Sequence, residues 1–261
     1  MEYVLIIVVA FGAALLTFFS GFGLGTILMP VFAIFFPVEI AIALTAIVHL
    51  LNNFFKAALI WKEINWKVVL WFGIPAAVAA FGGALLLNRL SGQGGIFTYE
   101  FAGRTMQVTI LKLVIATLLV FFAVMEISKR LQKIRLRKKF LPLGGLLSGF
   151  FGGLSGHQGA LRSMFLLKAG LTKEGFIATG IAAAIVIDIS RLSVYGTSFF
   201  AQHFKALGDK SNLLLLVASL AAFAGSLTGR KVLRKITFRG VQLTVGILIL
   251  VLALLMAAGI I

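Results

Sequence analysis

The chain has 261 residues, of which 61% are hydrophobic and only 12% charged, and it contains no cysteine. That charged share is about half of what a soluble domain carries, and with a mean hydropathy of +1.09 it excludes a soluble enzyme, a disordered chain and a disulfide-stapled secreted scaffold. The formal charge is +16, from 24 Lys+Arg against 8 Asp+Glu; the basic residues sit between apolar segments, so lipid headgroups and topology account for them and no nucleic-acid partner is expected.

What remains is an all-α polytopic membrane protein, expected in the cell (inner) membrane. Eight apolar segments follow in chain order, at about 3–36, 39–60, 67–88, 106–126, 141–168, 175–198, 212–229 and 241–261. The first opens on MEYVLIIVVAFG, which has Glu2 and none of the basic residues that begin a cleaved leader. It is too long for one crossing and is broken at Ser20-Gly21-Phe22-Gly23-Leu24-Gly25, followed by Thr26. Glycine at that density destabilises a helix interior. The second segment carries Thr45, His49, Asn52, Asn53 and Lys56, at helical spacings of 0, 4, 7, 8 and 11. Such a stripe faces a partner helix or an aqueous path. The plainer reading is helix–helix glue, with Lys56 reaching the cytoplasmic interface.

All three tryptophans, Trp61, Trp66 and Trp71, flank the second-to-third connection and suit an interfacial belt. A loop is expected over 92–104. The basic stretch 129–139 separates the two halves of the chain, 1–127 and 141–261, with 128–140 as the linker. The fifth segment is broken at Ser148–Gly159 and carries Ser155, Gly156, His157, Gln158, Gly159 and Arg162. Arg162 has a plainer reading too, in snorkelling or in pairing with Glu174. The sixth carries Asp188, Arg191 and Tyr195 at spacings 0, 3 and 7, and Asp188 is read as the only acidic residue deep in an apolar segment. Asp188 and Arg191 can pair one turn apart, a pair that either neutralises itself or serves function. Asp188 and His49 are the candidates for carrying a proton.

Charge counting sets the topology. If all eight segments crossed, Lys and Arg would divide 12 to 10 between the two sides. If the two broken segments instead return to the side they came from, the division becomes 17 to 5. The 17 are Lys56, Lys62, Lys67, the seven of the linker, Lys168, Lys173 and the five from Arg230 to Arg239. The second division is what the positive-inside rule expects. Six crossings with two re-entrant hairpins follow, with the linker in the cytoplasm and both termini outside. Three crossings per half make the halves inverted relative to each other. An offset of 134 pairs Gly25 with Gly159, Thr45 with Thr179 and Ile47 with Ile181.

Unwound glycine-rich backbone exposes N–H groups, and a helix restarting after it points its positive end at the break. Two such breaks meeting at midplane form a site for a small anion. Its candidate lining is Gly23, Gly25 and Thr26 from the first break and Ser155, Gly156, His157, Gln158 and Gly159 from the second. His49, Asn52, Asn53, Arg162 and Arg191 complete it, the arginines suiting an oxyanion. No cofactor and no metal are expected, and the oligomeric state is open.

With its doubled glycine-rich segments, SGFGLGTILMP in the first half and LSGFFGGLSGHQGALRSMF in the second, the chain resembles the sulfite exporter TauE/SafE family of anion transporters. The resemblance covers nearly the whole chain apart from the linker and the 92–104 loop. It departs from the family where the first copy has Gly23-Leu24-Gly25-Thr26 in place of three glycines, and where the second has His157-Gln158-Gly159 and no proline matching Pro30. The resemblance implies proton-linked movement of sulfite, sulfonates or related sulfur-containing or carboxylate anions, with no enzymatic activity. Two other readings stay open at this stage. Gly153-Leu154-Ser155-Gly156 matches the nucleophile string of intramembrane serine proteases, and a membrane assembly protein without substrate would need none of the embedded polar groups.

Overall fold

The computed structural model describes residues 2–17, 23–101, 103–131, 134–197, 199–232 and 238–261. Ser20, Gly21 and Phe22 of the first break, and Gln132 and Lys133 of the linker, lie outside the described residues. In chain order the elements are α1 (Glu2–Thr17), α2 (Leu24–Ala33), α3 (Val38–Ile60), a 3₁₀ turn (Trp61–Glu63), α4 (Trp66–Leu90), β1 (Gly95–Phe101), β2 (Arg104–Thr109) and α5 (Ile110–Ile127). A second 3₁₀ turn (Lys138–Phe140) leads into α6 (Leu141–Ser155), α7 (Gly159–Leu166), α8 (Lys173–Thr197), α9 (Phe199–Val232) and α10 (Phe238–Ala257).

The helix ends follow local chemistry. Asn65 starts α4 by accepting from the Val68 N–H at 3.1 Å, and Thr109 starts α5 by accepting from Lys112 N–H at 3.1 Å. At the two breaks the backbone turns left-handed, at Gly23 (φ 110) before α2 and at Gly156 (φ 81) after α6, where a side chain would be strained. The broken first and fifth segments are therefore helix pairs. The stretch expected as a loop over 92–104 is instead largely a β-hairpin, with Phe97 opposite Val108 and Tyr99 opposite Met106. Alternating aromatic and β-branched residues in IFTYEF and MQVT favour strand over helix, so α5 begins only at Ile110. Tyr99 hydroxyl donates to the Ala258 carbonyl at 2.5 Å and ties the hairpin to the end of α10.

Among the described residues five helical stretches are long and apolar enough to cross a membrane: Val38–Glu63, Trp66–Leu90, Ile110–Ile127, Lys173–Thr197 and Asn212–Gly229. By contrast α2 has 10 residues and α7 has 8, so they extend about 15 and 12 Å, half or less of the ~30 Å of hydrocarbon.

Helix packing relies on small residues. A Cβ placed on Gly145, Gly149 or Gly153 of α6 would fall 2.1, 2.1 or 2.0 Å from the carbonyl oxygens of Phe72, Ala76 and Ala80 on α4. Residue numbers rise together on both helices, so they run parallel with backbones in contact. The pair α1 and α9 repeats this, with a Cβ on Gly225 or Gly229 falling 2.2 or 2.7 Å from the carbonyls of Phe11 and Leu15. The Leu136 N–H donates to the Met164 carbonyl at 3.2 Å, which puts the end of α7 beside the linker from which α6 departs. At the same end the Asn65 N–H donates to Thr179 Oγ1 at 3.0 Å, joining the start of α4 to the start of α8.

Side chains are distributed inside-out. Val4, Val8, Ile74, Val78, Leu216, Leu220 and Leu254 are exposed on the outer surface, while His49, Asn52, Asn53, Asp188 and Arg191 are buried. Two expectations change here. Lys56 does not reach the surface but is only 4% exposed, because α9 covers its face of α3. Asp188 remains the acid deep within an apolar segment, but Glu126, at the end of its segment and expected at the surface, is only 5% exposed in the last turn of α5.

Candidate functional site

The stripe on α3 and the stripe on α8 meet in the interior. Asp188, with no exposed surface, is the hub. Its Oδ2 accepts from His49 Nδ1 at 2.6 Å. Its Oδ1 accepts from Arg191 Nη2 at 2.7 Å and Nε at 3.0 Å, and from Gln158 Nε2 at 3.3 Å. Since a carboxylate only accepts, the network assigns the proton to His49 Nδ1. The other ring nitrogen then accepts from Asn53 Nδ2 at 3.3 Å. Gln158 passes the chain on, its Oε1 accepting from Arg162 Nη1 at 3.0 Å. A carboxylate buried at this depth is tolerable because charge and lone pairs are both answered.

The breaks meet at this hub. A Cβ on Gly25, in the first turn of α2, would stand 3.7 Å from the Gly156 carbonyl oxygen, 3.7 Å from Thr45 Cγ2 and 4.0 Å from His49 Cδ2. A Cβ on Gly156 would stand 2.9 Å from Arg191 Nη1. That same Nη1 donates to the Gly152 carbonyl at 3.3 Å. Thus α2, α3, α6, α7 and α8 all contribute to one locus. Tyr195 hydroxyl donates to the Gly153 carbonyl, and Ser148 Oγ donates to the Gln158 carbonyl at 2.9 Å; both fix the second break in place. Thr45 Oγ1 is buried and has no hydrogen-bond partner among the described residues.

The structure brings together Gly25, His49, Asn53, Gly156, Gln158, Arg162, Asp188 and Arg191. Gly23 and Thr26 open α2 at the edge of the locus, and Gly159 opens α7. Other candidates face elsewhere. Asn52, adjacent to Asn53 in sequence, points at α9. With its amide oxygen toward Lys56, it accepts from Lys56 Nζ at 3.3 Å and donates to Ser226 Oγ at 2.8 Å and to the Ala222 carbonyl at 3.3 Å. His157 turns to α5, where Phe122 stacks on its ring at 5.5 Å. Its Nδ1 lies 2.9 Å from the Ser155 carbonyl and 3.3 Å from Ser155 Oγ. A carbonyl only accepts, so Nδ1 carries the hydrogen and cannot take a proton from Ser155. Ser155 Oγ itself donates to the Phe151 carbonyl at 3.0 Å. This is a hydrogen-bonded turn without a nucleophile and base.

Sequence reasoning missed Ser148, Ser226 and Glu126. The two serines carry no periodic signal, and Glu126 sits at a segment end where exposure is the ordinary expectation. Among the described residues no group of three His, Asp or Glu side chains is arranged to hold a metal ion.

A family model described as sulfite exporter TauE/SafE matches residues 6–256. No curated protein matches the chain, and no solved structure matches it.

Proposed function

The chain belongs to the sulfite exporter TauE/SafE family and is a membrane transporter rather than an enzyme, and from that premise we propose that it moves small anions, namely sulfite, sulfonates or related carboxylates, with coupling to protons. The observation that carries this reading is the meeting of the two glycine breaks against Arg191. Asp188 takes Arg191 Nε and Nη2, which leaves Nη1 directed at Gly152 and Gly156. An oxyanion there is within reach of a guanidinium and of the helix that begins at Gly159. Buried irregular backbone at membrane depth is tolerated where it lines a cavity or is covered by protein, and the proposed locus is near midplane. His49 and Asp188 share a hydrogen bond in this locus and are the proposed proton carriers.

In this reading residues 1–127 and 141–261 are inverted halves joined by the cytoplasmic linker 128–140. The α1–α2 and α6–α7 pairs are re-entrant hairpins from opposite faces, and both termini lie outside the cytoplasm of a cell (inner) membrane. Supporting this are the parallel contacts of α1 with α9 and of α6 with α4, and the return of α7 to the linker. The pairing rule for a two-fold repeat would match these contacts in just that way.

The test is uptake into proteoliposomes of labelled sulfite, sulfate, thiosulfate, a short sulfonate and short carboxylates, with and without a pH gradient. At least one oxyanion is expected to be taken up saturably, faster under the gradient. Thr45→Val removes the unpartnered hydroxyl with little change of shape, so folding is expected to hold while substrate affinity falls about 5-fold, the equivalent of one neutral hydrogen bond. Absence of uptake for every anion would support an assembly role instead.

A further inference from the structure

The linker does more than join the halves. Lys129, Arg130, Arg135, Arg137, Lys138 and Lys139 are all exposed, and no acidic residue stands among them between Ser128 and Phe140. Two of its apolar residues, Leu131 and Leu136, do the opposite and turn inward. Leu131 packs against the cluster of Phe122, Met125 and Leu161, and Leu136 against the cluster that holds Leu141, Phe165 and Leu166. The Leu136 N–H is bonded to the Met164 carbonyl at 3.2 Å. The linker is thus strapped across α7, the short helix that carries Arg162 and begins directly after Gln158. Lys139 extends over the ring of exposed Phe140, 5.1 Å from its centroid, which sets a cation beside an apolar group, as at a headgroup boundary.

We propose that this strap is a docking surface for the headgroups of anionic phospholipids, and that their binding holds α7, and with it Gln158 and Arg162, in place at the site. Charge complementarity selects the occupant: a cluster of cations beside an apolar helix end attracts the negatively charged leaflet. The coupling is mechanical, because the Leu136 N–H is bonded to the Met164 carbonyl and Leu131 and Leu136 pack against clusters that include residues of α7. Nothing in it depends on which anion is transported.

The experiment titrates dioctanoyl phosphatidylglycerol into the full chain in detergent, with dioctanoyl phosphatidylcholine and inorganic phosphate as comparisons. Hydrogen exchange of residues 159–166 is followed in the same samples. The anionic phosphatidylglycerol is expected to bind and to slow exchange across α7, and neither comparison is expected to do so. Arg137→Gln with Lys138→Gln should weaken binding about 25-fold, at roughly 5-fold for each charge near an anionic surface. Leu136→Ala keeps every charge, so it should retain binding and lose much of the slowing at α7. Equal binding by the parent and the double variant overturns the docking surface. Binding of inorganic phosphate as tight as that of the lipid overturns the choice of occupant. Lipid binding that leaves α7 exchange unchanged in the parent overturns the coupling.

Discussion

Replacing Asp188 by Asn keeps the shape of the hub and removes its charge. The hydrogen bonds can largely be remade, since an amide oxygen can still accept from Arg191 and the His49 ring can change tautomer. The charge cannot be replaced. Arg191, 1% exposed, then loses the carboxylate that now holds its Nη2 at 2.7 Å and Nε at 3.0 Å. Breaking a buried pair from one side costs about 3–5 kcal/mol, whereas removing both partners is often close to neutral. Asp188→Asn and Arg191→Met should therefore each destabilise strongly, and the double variant should lose much less than the two losses added together. At about 2–4 °C per kcal/mol for a chain of this size, each single change lowers the apparent melting temperature by roughly 10 °C. The assay is thermal unfolding followed by circular dichroism at one fixed scan rate, with transport measured on the same preparations. The double variant is expected to fold and to transport poorly, because Arg191 Nη1 faces the break at Gly156. Single variants that melt within about 2 °C of the parent, with effects that simply add in the double, would refute the pair as a coupled unit.

Gly149→Ala should weaken assembly of α4 with α6 by about 1–3 kcal/mol or more, because its Cβ would lie 2.1 Å from the Ala76 carbonyl oxygen. Gly82→Ala, inside α4 with open space around it, should keep the melting temperature or raise it by a few degrees, since alanine favours a helix interior over glycine by about 0.5–1 kcal/mol, and equal melting of the two variants would contradict the packing described. Ser155→Ala should retain transport with at most a loss of about 1 kcal/mol, and the parent should not react with fluorophosphonates; covalent labelling at Ser155 would reopen the protease reading. Because the chain has no native cysteine, Ile134→Cys and Thr98→Cys give clean labelling. Position 134 should react with impermeant maleimide only from the cytoplasmic side and position 98 only from the other, and the reverse result would sink the proposed topology.

Some of the candidate site was legible in the sequence for a local reason. Helical spacing put Thr45, His49, Asn52, Asn53 and Lys56 on one stripe and Asp188, Arg191 and Tyr195 on another, and the i, i+3 pair formed as its spacing suggests. The glycine breaks at Ser20–Gly25 and Ser148–Gly159 were visible as composition, but the second is narrower than expected: α6 stays helical to Ser155 and α7 restarts at Gly159, while α2 already starts at Leu24. The hairpin at Gly95–Thr109 was not foreseen, since a short alternating stretch between apolar segments also reads as an ordinary loop.

What the sequence by itself determined is therefore whatever repeats every 3.6 residues or follows from local backbone preference: a multi-helix apolar chain, broken twice, with polar stripes in its second and sixth segments. The tertiary structure alone decided which stripe meets which. His49 and Asp188 are 139 residues apart, and no periodicity relates them. Adjacent Asn52 and Asn53 diverge, one bonded to Ser226 of α9 and the other to His49, because neighbouring residues on a helix point about 100° apart and a different helix packs on each side. Lys56 is buried for the same reason, although its place near a helix end suggests exposure. Those neighbours are set by the close approach of α4 to α6 and of α1 to α9, where backbones touch at Gly149 and Gly225. Such contacts depend on carbonyl oxygens far along the chain, and their register exists only once the helices have packed.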